Sequence, residues 1–171
     1  MDHTHCPGCG AAFPERDGPT HAYMTSSPAC WAAFGRLLEQ EYLQPRLEGA
    51  HRLSVDAYAV QHPGDPADRR AVQSVGLHLA RLMVQLETPR PPRQTNSVML
   101  AFANRKHTLI PLHPPSSFSM TIADVTPFAG KSEHAHKVQE WARSAWNDRA
   151  AHHDWIRRWA RGDTDAARHP R

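Results

Sequence analysis

Three cysteines and a histidine stand near the start of the chain. Cys6 and Cys9 lie in Cys-Pro-Gly-Cys-Gly, Cys30 in Ser-Ser-Pro-Ala-Cys-Trp, and His21 between them. Thiolates and imidazole are the ligands a structural zinc ion takes, four at a time in a tetrahedron. A C-x2-C turn can aim two sulfurs at one ion, because Gly8 and Gly10 tolerate the backbone conformations the turn needs. Cys30 is the obvious third ligand and His21 the best placed fourth, with His3 and His5 as competitors. Ser27 and Pro28 form a helix start, which puts Cys30 in the first helical turn, where the helix dipole favours a thiolate. A zinc knuckle over residues 5–30 would staple the N-terminal arm to that helix and leave no open position for catalysis. The plainer alternative is three free cysteines, one of them buried.

A second set of polar residues interrupts the apolar faces further on. Asp56, Tyr58, Gln61 and His62 crowd one short stretch, and His78 sits beside an apolar stripe. Asp148 and His152 fall one turn apart, where either could orient the other or both could reach one ion. Core histidines with satisfied nitrogens, a buried polar network and a partly exposed helix centre are the ordinary explanations for these. The sharper expectation is a second metal site built by His62, His78 and His152, with Asp56 or Asp148 behind the ligands.

The elements that must position these groups are mostly helical. From Pro28 to about Tyr42, Trp31, Phe34, Leu38 and Tyr42 recur at helical spacing, and Pro45 ends the run. Residues 53–62 fit alternation nearly as well as a helix, and the alanines with the Pro63-Gly64 stop favour the helix. Val72, Val75, Leu79, Leu82, Met83 and Leu86 mark a clear helix from about Asp68 to Glu87, in which Gly76 would let a neighbouring helix come close. Residues 88–94 read as a proline–arginine loop, and Val98–Phe102 is an apolar run of undecided type. Residues 118–122 alternate, which suggests a short strand that could pair with Leu109-Ile110 in a hairpin. One long helix is expected from Ser132 to Ala160, and a disordered tail over 163–171.

Length and composition bound the rest. A chain of 171 residues, 40% hydrophobic, suits one domain over residues 1–162. The formal charge of +3 is spread among interspersed acids and bases, so nucleic-acid binding is not expected. An odd cysteine count with a C-x2-C pair argues against a disulfide framework and for a reducing compartment. The polar N-terminus lacks a signal-peptide core, and no run of eighteen apolar residues exists, so no membrane association is expected. P-loop, dinucleotide-turn and nucleophile-elbow motifs are missing.

Several stretches together resemble an uncharacterised bacterial family of unknown function. They are Cys-Pro-Gly-Cys-Gly at 6–10, Gly18–Tyr23, Ser26–Trp31, Val55–Gly64, Gln73–Leu79 and the tryptophan-rich last helix. The resemblance spans residue 5 to about 160. Glycine commonly precedes the third cysteine in that family and Ala29 stands there here, a change a helical position tolerates. Membership implies no activity, but it draws attention to His21, His62 and His78, which all fall within the shared motifs. A three-histidine site in a helical bundle would also look like the metal-dependent DinB-type bundles, an analogy of architecture alone.

The sequence therefore points to a mainly α protein, a bundle of about four helices with an N-terminal zinc knuckle and at most one short β-hairpin. The expected function is a small cytoplasmic zinc-binding protein, a binding or regulatory module for a protein partner or small-molecule ligand. The runner-up is a metal-dependent enzyme of DinB-like type using His62, His78 and His152.

Overall fold

The chain begins with an antiparallel hairpin, β1 (His3–His5) and β2 (Ala12–Pro14), in which His3 pairs with Pro14, Thr4 with Phe13 and His5 with Ala12. The structure, a computed structural model, describes residues 3–163. The tail expected over 163–171 lies outside the described residues beyond Asp163. After the hairpin the architecture is helical: α1 (Pro28–Leu43), α2 (Glu48–Gln61), α3 (Arg69–Glu87), α4 (Pro92–Arg105), α5 (Ile122–Val125), α6 (His134–Asp148) and α7 (His153–Ala160). These seven, rather than about four, are the α-helices among the described residues. None is long and apolar enough to cross a membrane.

Helix ends follow the local chemistry. Ser27 caps α1 by accepting from the Cys30 amide at 3.1 Å, and Pro28 supplies the first helical position. Asp68 caps α3 through the Arg70 amide at 2.8 Å. Pro63 follows α2 and stops it, since the residue before a proline is pushed out of the helical region. Thr121 and Asp124 form a reciprocal capping box on α5.

Helix α2 is the central element and packs against α1, α3 and α6. Its Ala57, Tyr58, Ala59 and Val60 are fully buried, together with Leu37 of α1, Leu79 and Leu82 of α3, and Val138 and Trp141 of α6. Two buried carboxylates join the helices through polar contacts. Glu41 of α1 meets His51 and Ser54 of α2 and His134 of α6, the two histidines at 3.0 Å each. Asp56 of α2 meets His78, Arg81 and Gln85 of α3. Each carboxylate satisfies its oxygens with several donors, which is what makes its burial tolerable.

Three expectations about the elements are corrected. The long helix over 132–160 is two helices, with a 3-10 turn at Ala150–His152 between them. The break comes where Arg149 turns fully inward, donating through Nε to the Val60 carbonyl at 3.1 Å and through Nη1 to that of Leu112 at 2.8 Å. It thereby caps the carbonyl end of α2, a place where positive charge is favourable. The hairpin lies at residues 3–14 and not at 109–122. Residues 118–121 run as a loop whose Ser119 amide and hydroxyl are taken by Asp148, so no ladder forms there. The side chain that comes close at Gly76 is Leu109, which follows α4, and not a neighbouring helix. A Cβ at Gly76 would sit 2.6 Å from Leu109 Cδ2.

Candidate metal centre

The turn between β1 and β2 carries the first two candidate ligands. Cys6 donates its amide to the Ala11 carbonyl at 2.8 Å, and Gly10 donates to the Cys6 carbonyl at 2.9 Å. The turn closes because Gly10 adopts φ +80°, a left-handed conformation that costs glycine little. Gly8 is needed for another reason. A Cβ there would lie 2.2 Å from the Thr25 carbonyl oxygen and 2.6 Å from Cδ2 of His62. The turn is thus pressed against both the segment leading into α1 and the end of α2.

Four side chains meet at this junction: Cys6, Cys9, Cys30 and His62, each buried, with one ligand atom apiece and all those atoms within 4.8 Å of one another. Cys9 Sγ and Cys30 Sγ are 3.8 Å apart, and Cys30 Sγ is 3.3 Å from His62 Nε2. Bond lengths of about 2.3 Å for zinc–sulfur and about 2.0–2.1 Å for zinc–nitrogen give tetrahedral edges of roughly 3.8 Å and 3.6 Å. The residues therefore fit a tetrahedral metal ion. Their exposure, between 0% and 4%, leaves it no open side.

The surroundings orient the ligands as a metal requires. His62 Nδ1 lies 2.6 Å from the Tyr58 carbonyl oxygen, so Nδ1 carries the proton and donates, leaving the Nε2 lone pair directed at the sulfurs. The His62 ring stacks on Tyr58 at 3.7 Å between centroids, and Tyr58 stacks on Phe34 at 3.9 Å. The Tyr58 hydroxyl donates to Cys30 Sγ at 3.6 Å, a contact that suits a thiolate. Burial, then the charge at Cys30, pushes the Tyr58 hydroxyl pKa well above its ordinary value, which keeps it a donor.

The cluster cannot hold three thiolates without a cation. Hydrogen bonds from Cys30 and then Cys9 hold the Cys6 thiol far below its usual range. The contact with Cys6, then that with Cys9 and burial, push Cys30 far above it. The Cys9–Cys30 contact favours a Cys9 thiolate, but its contact with Cys6 and its burial outweigh this and raise it to about 12. The opposed shifts mean that the three sulfurs compete for one negative charge, and a divalent cation would take the place of the thiol protons.

The four residues expected at the knuckle do not all meet. Cys6, Cys9 and Cys30 come together, and His62 takes the fourth position in place of His21. His21 packs instead edge-on against Tyr23 and Trp31, at 4.3 Å and 5.2 Å, and its Nδ1 accepts from the Tyr23 amide at 3.3 Å. Burial, then the nearby His78, lowers its pKa. The competitors stay outside as well: His3 lies in β1, and His5 bonds the Gly10 carbonyl at 3.0 Å. His62 was singled out by its motif but expected in a different site, because it lies 32 residues beyond Cys30. The signal available was its place just before the Pro63-Gly64 stop, where the end of α2 must face something.

The second site does not form, because its three histidines serve three different neighbourhoods. His62 belongs to the cysteine cluster, His78 places Nδ1 2.6 Å from Asp56, and His152 donates from Nε2 to the His113 carbonyl at 2.7 Å. Asp56 does stand behind His78, but Asp148 serves Ser119 rather than His152.

Comparison with known proteins adds a family and no activity. No curated protein and no solved structure matches the chain. One family model does match, over residues 4–150, and it spans the hairpin, the cysteine cluster and helices α1 to α6. By that match the chain belongs to DUF5946, a family of unknown function.

Proposed function

We propose that this chain is a zinc-binding protein in which Cys6, Cys9, Cys30 and His62 hold one structural zinc ion, fastening the N-terminal hairpin to α1 and α2. The observation that carries the reading is the closed group of three sulfurs and one imidazole nitrogen at tetrahedral spacing. Soft thiolates with one imidazole in a tetrahedron favour zinc over hard, oxygen-seeking cations. With all four positions filled by protein, the ion has a structural role, and the protein works as a binding or regulatory module. Three cysteines that must stay reduced suit a cytoplasmic setting. The alternative of a metal-dependent enzyme built on His62, His78 and His152 has less support, since His62 lies against Cys30, His78 against Asp56 and His152 against the His113 carbonyl.

Elemental analysis of the purified protein tests the proposal. The expected result is one zinc per chain, retained in His21→Ala and lost or strongly weakened in His62→Ala and Cys30→Ser. A folded protein that carries no stoichiometric metal overturns it. So does zinc that survives His62→Ala but leaves with His21→Ala.

A further inference from the structure

A cleft of about 730 Å³ lies between the segment Ile110–His113 and the outer face of α7. It has the size of a small-molecule site, for which roughly 300–1,000 Å³ is usual. Its described lining includes Arg157, Arg158, Arg161, His113 and His152, against a single carboxylate, Asp154.

The three arginines are not equally engaged. Arg157 is neutralised by Glu87, at 2.5 Å and 3.1 Å, and lies 3.4 Å from Asp154. Arg158 reaches only a main-chain oxygen, that of Asp154, at 3.4 Å. Arg158 and Arg161 take part in no ion pair among the described residues, and they stand three apart, Arg158 in the last turn of α7 and Arg161 as the residue that caps its end.

The cleft is also backed by positive charge. Arg149, fully buried behind it, bonds only the Val60 and Leu112 carbonyls and has no carboxylate partner. Arg149 and His152 tie the Leu112 and His113 carbonyls to the α6–α7 junction, so the opposite wall is held in place from that junction. Burial lowers the His152 pKa, the bond to the His113 carbonyl partly opposes this, and the charges of Arg149, His113 and His153 add to the lowering.

We propose that this cleft binds a small phosphate-bearing molecule, its phosphate clamped by Arg158 and Arg161 and its apolar body resting on Ile110 and Pro111. Two guanidinium forks at the end of α7 match the several oxygens of a phosphate better than the single plane of a carboxylate. The charges are gathered inside one cleft of limited size rather than along a stripe, which favours a small molecule over a nucleic acid. The inference stands apart from the zinc reading, because no residue of the cleft belongs to the cysteine cluster.

Titration calorimetry on the full chain at about 0.15 M ionic strength tests it, with inorganic pyrophosphate and adenosine monophosphate as probes. The expected result is saturable one-to-one binding of at least one probe. Affinity should fall about tenfold or more in the Arg158→Gln/Arg161→Gln double variant. It should be unchanged in Arg36→Gln, an exposed arginine of α1 outside the cleft. Circular dichroism of the double variant guards against loss of fold, and both residues are at least partly exposed. No saturable binding of either probe overturns the proposal, and so does an equal loss in Arg36→Gln. Binding of a single-stranded oligonucleotide without either small probe overturns it as well.

Discussion

His62 Nδ1 lies 2.6 Å from the carbonyl oxygen of Tyr58, one turn earlier on the same helix, and this bond aims Nε2 at Cys30. Tyr58 therefore serves the cluster three times over: through its carbonyl, through its ring stacked under the imidazole, and through its hydroxyl on Cys30. One buried aromatic residue orients two of the four ligands, which come from different helices.

Removing only the hydroxyl separates these roles. Tyr58→Phe keeps the stack and the carbonyl but takes a donor from Cys30 Sγ. Zinc affinity, measured by competition with a chromogenic chelator, is expected to fall about 10-fold, at the lower end of the range for outer partners of a metal site. The fold should persist, because the ring still fills its place against Phe34.

Two glycine-to-alanine changes should differ in sign. Gly8→Ala would press a methyl group onto the Thr25 carbonyl and the His62 ring, and is expected to destabilise the protein by about 1–3 kcal/mol and to weaken metal retention. Gly35 lies within α1 with nothing within 4 Å of an added Cβ, so Gly35→Ala should stabilise by about 0.5–1 kcal/mol. Urea unfolding of the two variants side by side checks the contrast.

Arg149 should be among the most sensitive positions away from the cluster. Arg149→Met leaves the Val60 and Leu112 carbonyls buried without their donors. Each orphaned acceptor costs about 1–3 kcal/mol, so a loss of about 2–6 kcal/mol is expected in chemical denaturation. Arg149→Lys should recover little, because one ammonium cannot reproduce a fork that serves two carbonyls.

The His152 shift makes a prediction about pH. Its folded pKa lies below the ordinary value of 6.5, burial being the main cause and outweighing the opposing bond to the His113 carbonyl. A histidine depressed on folding is protonated more readily when unfolded, so its contribution is present above about pH 6.5 and lost as pH falls through the folded pKa. Compared with His152→Gln, the wild-type protein should lose relative stability over that window. Melting curves of both proteins from neutral to mildly acidic pH would show the difference; parallel curves would contradict it.

The local parts of the molecule were legible in the residues themselves. Cys6 and Cys9 face one point because a two-residue spacing with glycines allows little else, and Ser27-Pro28 starts a helix whatever surrounds it. The α3 stripe was legible too, since its apolar period runs for many turns without interruption. What exceeded a turn or a helix was not. The break between α6 and α7 depends on Arg149 finding carbonyls of α2 and of Leu112, distant partners that no periodicity announces.

The same boundary runs through the metal centre. Sequence by itself determined the local part of the cluster: turn chemistry brings Cys6 and Cys9 together, and cap chemistry sets Cys30 in the first turn of α1. Tertiary structure alone decided the fourth ligand. His21 stands between the cysteines in the chain, yet its ring is held in an aromatic cluster with Tyr23 and Trp31. His62 lies far along the chain, yet it arrives because α2 packs on α1 and ends where the knuckle is pressed against it. Nearness in sequence orders the ligands only over a turn or two; beyond that, burial of apolar faces decides which imidazole meets the sulfurs.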